Sequence, residues 1–411
     1  MRKNLLLFLI GPLLYANNSF AATYDAYVAN EGSNNVSIID TSSNTVIATI
    51  AVGTNPAGVA ITPDGTQAYV VNSGGGNVSV IDTSLNTVVA MVTVGAKPEH
   101  VAITPNGSFA YVTNSQDNTV SVIATSSNTA VATVAVGNNP SGVAITPNGN
   151  YAYVTNAGIG GNTVSVIAAS SNTVVATVAV GSQPRDVAIT PNGSYAYVTN
   201  SQNSTVSVIA TSSNTVVATV AVGSGPRGVA ITPNGNYAYV ANGLGADTVS
   251  VIATGSNTVV ATVTVGMTPT GVGITPDGNY AYVSNADDNT SSVIAISSNT
   301  VVATVPVGTA PNGVAITPAV PAVLNLQGQQ VRNDFGFVYE LENQLSWQDN
   351  PAAGSVAGYY LFRNGVLIAT LSPCTFQYTD HNIKKSASNT YALVTFSTSG
   401  MQSAPASITI K

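Results

Sequence analysis

PSGVAITPNGNYAYVTNAGIGGNTVSVIAASSNTVVATVAVG, running from Pro140 to Gly181, decides the fold, because nearly everything before residue 319 is a copy of it. The Tyr of its Tyr-Val-x-Asn tetrapeptide recurs at Tyr27, Tyr69, Tyr111, Tyr153, Tyr197, Tyr239 and Tyr282, at spacings of 42, 42, 42, 44, 42 and 43 residues. A period of roughly 40 to 45 residues carrying four short strands is the signature of a propeller blade. Four strand-like runs are legible in each copy: Gly-Val-Ala-Ile-Thr-Pro, Tyr-Ala-Tyr-Val-Thr-Asn, Thr-Val-Ser-Val-Ile-Ala and Val-Val-Ala-Thr-Val-Ala-Val-Gly. They are rich in β-branched and aromatic residues and bounded by turn residues. Pro-Asn-Gly or Pro-Asp-Gly, as at Pro63-Asp64-Gly65 and Pro147-Asn148-Gly149, is a type I turn signal, and Ser-Ser-Asn-Thr punctuates the next connection. A single blade cannot bury its two apolar faces, so blades must stack.

The Thr-Pro that ends the innermost strand also occurs seven times, at Pro63, Pro105, Pro147, Pro191, Pro233, Pro276 and Pro318, but out of phase with the tyrosines. The chain enters on a second strand, Tyr24 to Asn30, and leaves the repeats on an inner strand, Gly313 to Pro318. The two fragments add to one blade, which predicts a seven-bladed ring closed by strand exchange between its ends. An open solenoid would leave two incomplete sheets with unpaired edges.

Tyr111-Val112-Thr113-Asn114, Tyr153-Val154-Thr155-Asn156 and Tyr197-Val198-Thr199-Asn200 resemble the repeat of the YVTN family of β-propellers, which includes archaeal surface-layer proteins and many secreted bacterial proteins. The resemblance spans about residues 24 to 318 and implies the fold far more strongly than a function, since propellers host enzymes and inert scaffolds alike. In the tail, Leu345-Ser346-Trp347, Tyr359 to Gly365 with its Asn-Gly hairpin, and Tyr391 resemble a fibronectin type III domain, an antiparallel sandwich. The expected organisation is an all-β chain: a signal peptide over 1–21, a seven-bladed propeller over 22–318 and a fibronectin-like β-sandwich over 319–411, the two domains in contact.

Met1 to Ala21 reads as a signal peptide from Arg2 and Lys3, the apolar run Leu5 to Leu14 and the small-residue site Ser19-Phe20-Ala21. No other apolar stretch is long enough to span a bilayer. An exported protein follows, whether secreted, surface-exposed or periplasmic. The one cysteine, Cys374, makes no internal disulfide and is expected to be a buried thiol. Between residues 24 and 318 there are twelve acidic side chains and three basic ones, Lys97, Arg185 and Arg227. Such a chain has no electrostatic footprint for nucleic acid.

Variation among the copies falls in the loop after Tyr-Val-x-Asn and in the segment crossing to the next blade, which an up-and-down strand order puts on one rim. After each recurring Pro of the crossing come two residues, and the second is Gly in five of seven copies: Ala57-Gly58, Glu99-His100, Ser141-Gly142, Arg185-Asp186, Arg227-Gly228, Thr270-Gly271 and Asn312-Gly313. His100 and Asp186 break the rule. Lys97, Glu99, His100, Arg185, Asp186 and Arg227 therefore form the candidate binding site, at the mouth of the central channel. The competing reading is that these charges only keep a rim soluble. The asparagines that end the second strands, Asn30 through Asn285, recur in every blade and read as structural Asx turns.

Enzyme chemistry is not expected from the sequence. A lactonase-like propeller hydrolase needs Glu, Asp, Asn and His converging on a metal in the channel, but the inner strands, read as Gly-Val-Ala-Ile-Thr, are expected to hold no carboxylate in any copy, and His100 is the one histidine of the repeats. The sequence reading is thus a non-enzymatic binding scaffold without metal or cofactor, recognising a protein or glycan through its variable rim. A self-associating coat component and a lactonase-like hydrolase are the alternatives. Uncharged, β-prone outer strands such as Thr173 to Gly181 add an expectation of weak self-association.

Overall fold

The structure, a computed structural model, describes residues 23–158, 162–320, 322–334, 339–348, 350, 356–381, 383, 388–397 and 402–410. The proposed signal peptide and residues 159–161, in the loop after Tyr153-Val154-Thr155-Asn156, lie outside them.

Each repeat folds as read, into a four-stranded antiparallel sheet. In one blade the strands are Pro140–Ile145, Tyr151–Asn156, Thr163–Ala168 and Thr173–Ala179, innermost first. Seven such sheets form the ring. The last is a composite, because Pro311–Ile316 pairs antiparallel with Asp25–Asn30, with Tyr27 opposite Ala315 and Val28 opposite Val314. Strand exchange closes the ring as the phase mismatch predicted.

Period-2 alternation explains how the blades stack. Tyr153, Val164 and Val166 of one blade pack against Val187, Ala196, Val198 and Ile209 of the next, while Ala152, Val154 and Ile167 face the blade before. The recurring tyrosines add a polar lock. Tyr153 Oη donates to Asn214 Oδ1 and Tyr197 Oη to Asn257 Oδ1, both at 2.6 Å, each reaching the Ser-Asn-Thr turn of the next blade. Tyr282 Oη does the same to Asn44 Oδ1 at 2.6 Å across the closing seam. Those turn asparagines hold positive φ, 53° at Asn44 and Asn214, a conformation Asn tolerates better than most residues.

The strand-end asparagines are structural, but not as Asx turns. Asn156 is fully buried, and its Nδ2 donates to Thr163 Oγ1 and Ser165 Oγ at 3.0 Å, tying the second strand to the third. Among the described residues its Oδ1 has no partner, and the same holds in all seven copies. Gly137 lies so close that a Cβ there would sit 2.5 Å from Asn156 Cγ, which explains the Gly two residues past the end of each fourth strand.

Beyond the ring, two sheets form a sandwich. Leu324–Asp334, Tyr339–Gln348 and Gln377–Asp380 make one, and Val366–Leu371, Val356–Arg363, Asn389–Ser397 and Ala406–Ile410 the other. Trp347, Tyr359, Tyr391 and Leu393 fill the core between them. Asn364 and Gly365 take φ of 51° and 80°, as a two-residue hairpin turn requires. Thr23 and Gln402 exchange hydrogen bonds, Thr23 N–H to Gln402 O at 3.2 Å and Gln402 N–H to Thr23 Oγ1 at 3.0 Å, so the sandwich touches the start of the ring. Cys374 is exposed, against the expectation of a buried thiol, because it lies in the connection between two strands.

Candidate functional site

Innermost strands begin two residues earlier than the sequence reading placed them, at the recurring Pro. Pro184 pairs with Asn200 and Val187 with Val198, so three steps on the inner strand oppose two on its partner. The same shift occurs at Pro98–Val101 and Pro226–Val229. The variable pair is therefore a β-bulge inside the strand, a device that re-aims side chains. Carboxylates do stand on innermost strands after all, Glu99 in Pro98–Ile103 and Asp186 in Pro184–Ile189.

Bulges of adjacent blades touch around the axis, which is why Gly recurs there. A Cβ on Gly228 would come within 2.4 Å of Thr270 O, and one on Gly142 within 2.7 Å of Asp186 Cα. Asp186 fits because the blades on either side of it carry Gly142 and Gly228.

Hydroxyls of the Tyr-Val-x-Asn tetrapeptides hold the bulges. Thr113 Oγ1 accepts the His100 N–H at 3.0 Å and donates to Ser141 O at 2.6 Å. Thr155 Oγ1 accepts from Gly142 N at 2.8 Å and donates to Arg185 O at 3.1 Å. Thr199 Oγ1 accepts from Asp186 N at 3.0 Å and donates to Arg227 O at 2.6 Å. The corresponding residue is Ala29, Val71 or Ala241 in three other blades and Ser284 in the remaining one, where the hydroxyl likewise accepts from Gly271 N at 2.9 Å and donates to Asn312 O.

Glu99, His100, Arg185, Asp186 and Arg227 line one depression of about 270 Å³ at the channel mouth, with Ser141, Thr270 and Asn312 among its other walls. Lys97 does not line it. Its exposed ammonium lies 3.4 Å from Glu99 Oε1, and Ser115 Oγ donates to the same oxygen at 3.2 Å, so Glu99 is held from the rim side. Arg185 is exposed and Arg227 half-buried, and neither forms a salt bridge among the described residues. Burial and then the charge of Arg185 push the Arg227 guanidinium down, partly offset by Asp287 and Glu31. Asp186 is fixed by two backbone donors, Val187 N–H on Oδ1 at 2.8 Å and Val229 N–H on Oδ2 at 3.0 Å. Burial pushes its carboxyl up, against the opposing effects of the His100 charge and those two hydrogen bonds.

A half-buried carboxylate held in place by two backbone donors, an imidazole and two guanidiniums without carboxylate partners among the described residues can together move a proton and stabilise a developing oxyanion. A larger hollow of about 640 Å³ lies on the sandwich, but Gln327, Gln329, Gln344, Gln377, Tyr378 and their neighbours offer amides and hydroxyls, with no carboxylate, imidazole or guanidinium. The smaller depression carries the chemistry.

The family profile described as a lactonase, 7-bladed beta-propeller, matches residues 20–135, 61–217 and 211–327. No curated protein sequence matches the chain. Among solved structures, the hydrazine synthase of Kuenenia stuttgartiensis is 26% identical with a TM-score of 0.61, over 65% of this chain and 92% of that one. The periplasmic gluconolactonase of Pseudomonas aeruginosa is 21% identical with a TM-score of 0.62, over 73% of this chain and all of that one. A functionally unknown protein from Desulfotomaculum acetoxidans is 21% identical with a TM-score of 0.64, over 72% and 99%. The expectation of a non-enzymatic binding scaffold is overturned by the family match, which backs the hydrolase alternative instead. The reason is physical: the β-bulge has the sequence of a crossing loop, and Glu99 and Asp186 lie in it, on the innermost strands.

Proposed function

From the premise that the chain belongs to the lactonase, seven-bladed β-propeller family, we propose that its channel mouth hydrolyses a lactone ester. The observation that carries the reading is the convergence of His100, Arg185, Asp186 and Arg227 in one depression. Hydrolysis joins the oxygen of water to the lactone carbonyl carbon and breaks the ring C–O bond. A hydroxy acid results. Asp186, whose carboxyl burial pushes up, takes the proton of the attacking water. Arg185 and Arg227 neutralise the charge that grows on the carbonyl oxygen and remains on the product carboxylate. His100 returns a proton to the departing ring oxygen.

Sugar lactones are the first class to test, because the family is named for lactonase activity and one solved neighbour is a gluconolactonase. An exported location is supported by Arg2, Lys3 and the apolar run Leu5 to Leu14. No helix among the described residues is long and apolar enough to cross a membrane.

The test is acid release from glucono-δ-lactone and related aldonolactones, followed by pH-stat. The wild-type chain should exceed the buffer rate, and Arg185→Ala with Arg227→Ala should lower kcat/KM by about 10²-fold, the loss typical of removing an oxyanion donor. A wild-type protein at the buffer rate on the whole panel, or a double variant as active as the parent, would overturn the reading.

A further inference from the structure

Glu340 and Glu342 stand two residues apart on the strand Tyr339–Gln348, so they project from one face. That strand pairs with Gln377–Asp380 in the register Asn343 opposite Asp380, and the pairing runs on as Ile383 N–H donates to Leu341 O at 2.9 Å. His381 is thereby brought opposite Glu342. Its Nδ1 lies 3.1 Å from Glu340 Oε1 and 3.3 Å from Glu342 Oε2. One oxygen from each glutamate and the ring nitrogen all lie within 4.8 Å of one another.

Hydrogen bonding alone serves this cluster poorly. One Nδ1 proton cannot serve two carboxylate oxygens well. Glu342 is only 6% exposed, and among the described residues its carboxylate meets His381 and the Gln344 amide, whose Nε2 donates to Oε1 at 2.8 Å. Buried carboxylates are normally paired with cations or bound to metals. Spacing points the same way. Zinc binds nitrogen and oxygen at about 2.0 to 2.2 Å, so adjacent ligand atoms of a tetrahedral site lie about 3.3 Å apart. The two nitrogen-to-oxygen separations match that edge length.

We propose that Glu340, Glu342 and His381 form a binding site for a divalent transition-metal ion of the zinc type, on the sandwich and apart from the channel mouth. Two carboxylates offset the ion's charge, and Gln344 fixes the orientation of Glu342 as an outer-shell partner. The His381 side chain is 56% exposed, so the ion is loaded from solvent and keeps an open position. Occupancy would also clamp His381 to the strand Tyr339–Gln348.

Calorimetric titration of the chelator-treated full chain with Zn²⁺ alone tests this. One ion per chain is expected, with binding weakened at least tenfold in His381→Ala and in Glu340→Gln, and unchanged in His100→Ala. Thermal melting should show a Zn²⁺-dependent rise in the wild type that His381→Ala abolishes. Both substituted side chains are at least partly exposed, so loss of the fold is not expected to mask the result. Absence of stoichiometric binding would overturn the site, and so would binding that survives both sandwich variants, or that is lost in His100→Ala, since the ion would then sit elsewhere.

Discussion

Asp186 Oδ2 accepts the backbone N–H of Val229, on the next blade of the ring, at 3.0 Å. Asp186 is thus anchored across a blade boundary, on the strand that carries Arg227. Its position is set by backbone geometry, and its carboxyl is held up by burial. An acid tuned upward in this way is better matched to taking a proton near neutral pH than an exposed one.

Asp186→Asn keeps the shape and one acceptor oxygen but cannot take a proton. Its kcat for lactone hydrolysis should fall by about 10² to 10⁴-fold, the range for loss of a general base. The wild-type rate should also fall as acid protonates a carboxyl whose pKa lies above the ordinary Asp value, and the residual rate of the variant should lack that limb. A variant with the wild-type rate and pH profile would remove Asp186 from the chemistry.

Thr199 is a positioning residue in this scheme, since its hydroxyl accepts from Asp186 N and donates to Arg227 O. Thr199→Val leaves a backbone donor and a backbone acceptor without this partner, at a cost of about 1 to 3 kcal/mol for each group left unpaired. Thr199→Ser restores the hydroxyl. The valine variant should lose about tenfold in kcat, with the serine variant close to wild type. If the valine variant melts earlier but turns over at the parental rate, the hydroxyl supports the fold alone.

The ring itself was legible because its signals are local and repeated seven times: Tyr-Val-x-Asn, Thr-Pro-Asn-Gly, Ser-Asn-Thr and their phase. The site was legible only in part. Gly58, Gly142, Gly228, Gly271 and Gly313 showed which positions were crowded, and His100 and Asp186 stood out against them. What the repeats did not reveal is the bulge, because one extra residue in a strand leaves no compositional mark, and with the bulge hidden Asp186 looked like a loop residue. Thr113, Thr155, Thr199 and Ser284 did carry a readable signal, since their place is Ala or Val in the other three blades. Reading that pattern requires knowing that the hydroxyl reaches both its own bulge and the next one. Glu340, Glu342 and His381 could not be joined from sequence at all, because their contact depends on the register between two strands of the tail.

The closing blade contains a like-charge pair. Asp25 stands directly opposite Asp40 across the two strands. Burial, and next the Asp40 charge, push the Asp25 carboxyl up to about 6. Unfolding returns it to the ordinary value, so between about pH 6 and 4 the folded state holds the extra proton and is favoured as the pH falls. At pH 7 the charge is ionised in both states and destabilises the fold. Asp25→Asn should therefore raise the Tm at pH 7, and its advantage over wild type should shrink as the pH drops through 6. An advantage that is absent at pH 7, or constant from pH 7 to 4, would count against the shift.

The last prediction concerns the rim of outer strands. Thr173–Ala179 and Thr215–Ala221 are the exposed edges of their sheets and carry no charge along their length. Val175 is 54% exposed and Val217 55%, and Ile47, Val131 and Val302 repeat the pattern on other blades. Natural edge strands usually carry a lysine, a proline or a bulge against pairing, and here Pro306 protects only the strand Thr300–Pro306. These edges do have an irregularity, Val166 to Ile167 against the outer strand, but it leaves the valines in place. Weak edge-to-edge association is expected, seen by light scattering as a mass that climbs with concentration in low salt. Val175→Lys with Val217→Lys should return the mass toward the monomer without lowering the Tm, because both side chains already face solvent. A wild-type chain that stays monomeric at high concentration would show that seven uncharged edges are insufficient, and a lysine variant that still associates would move the contact to another surface.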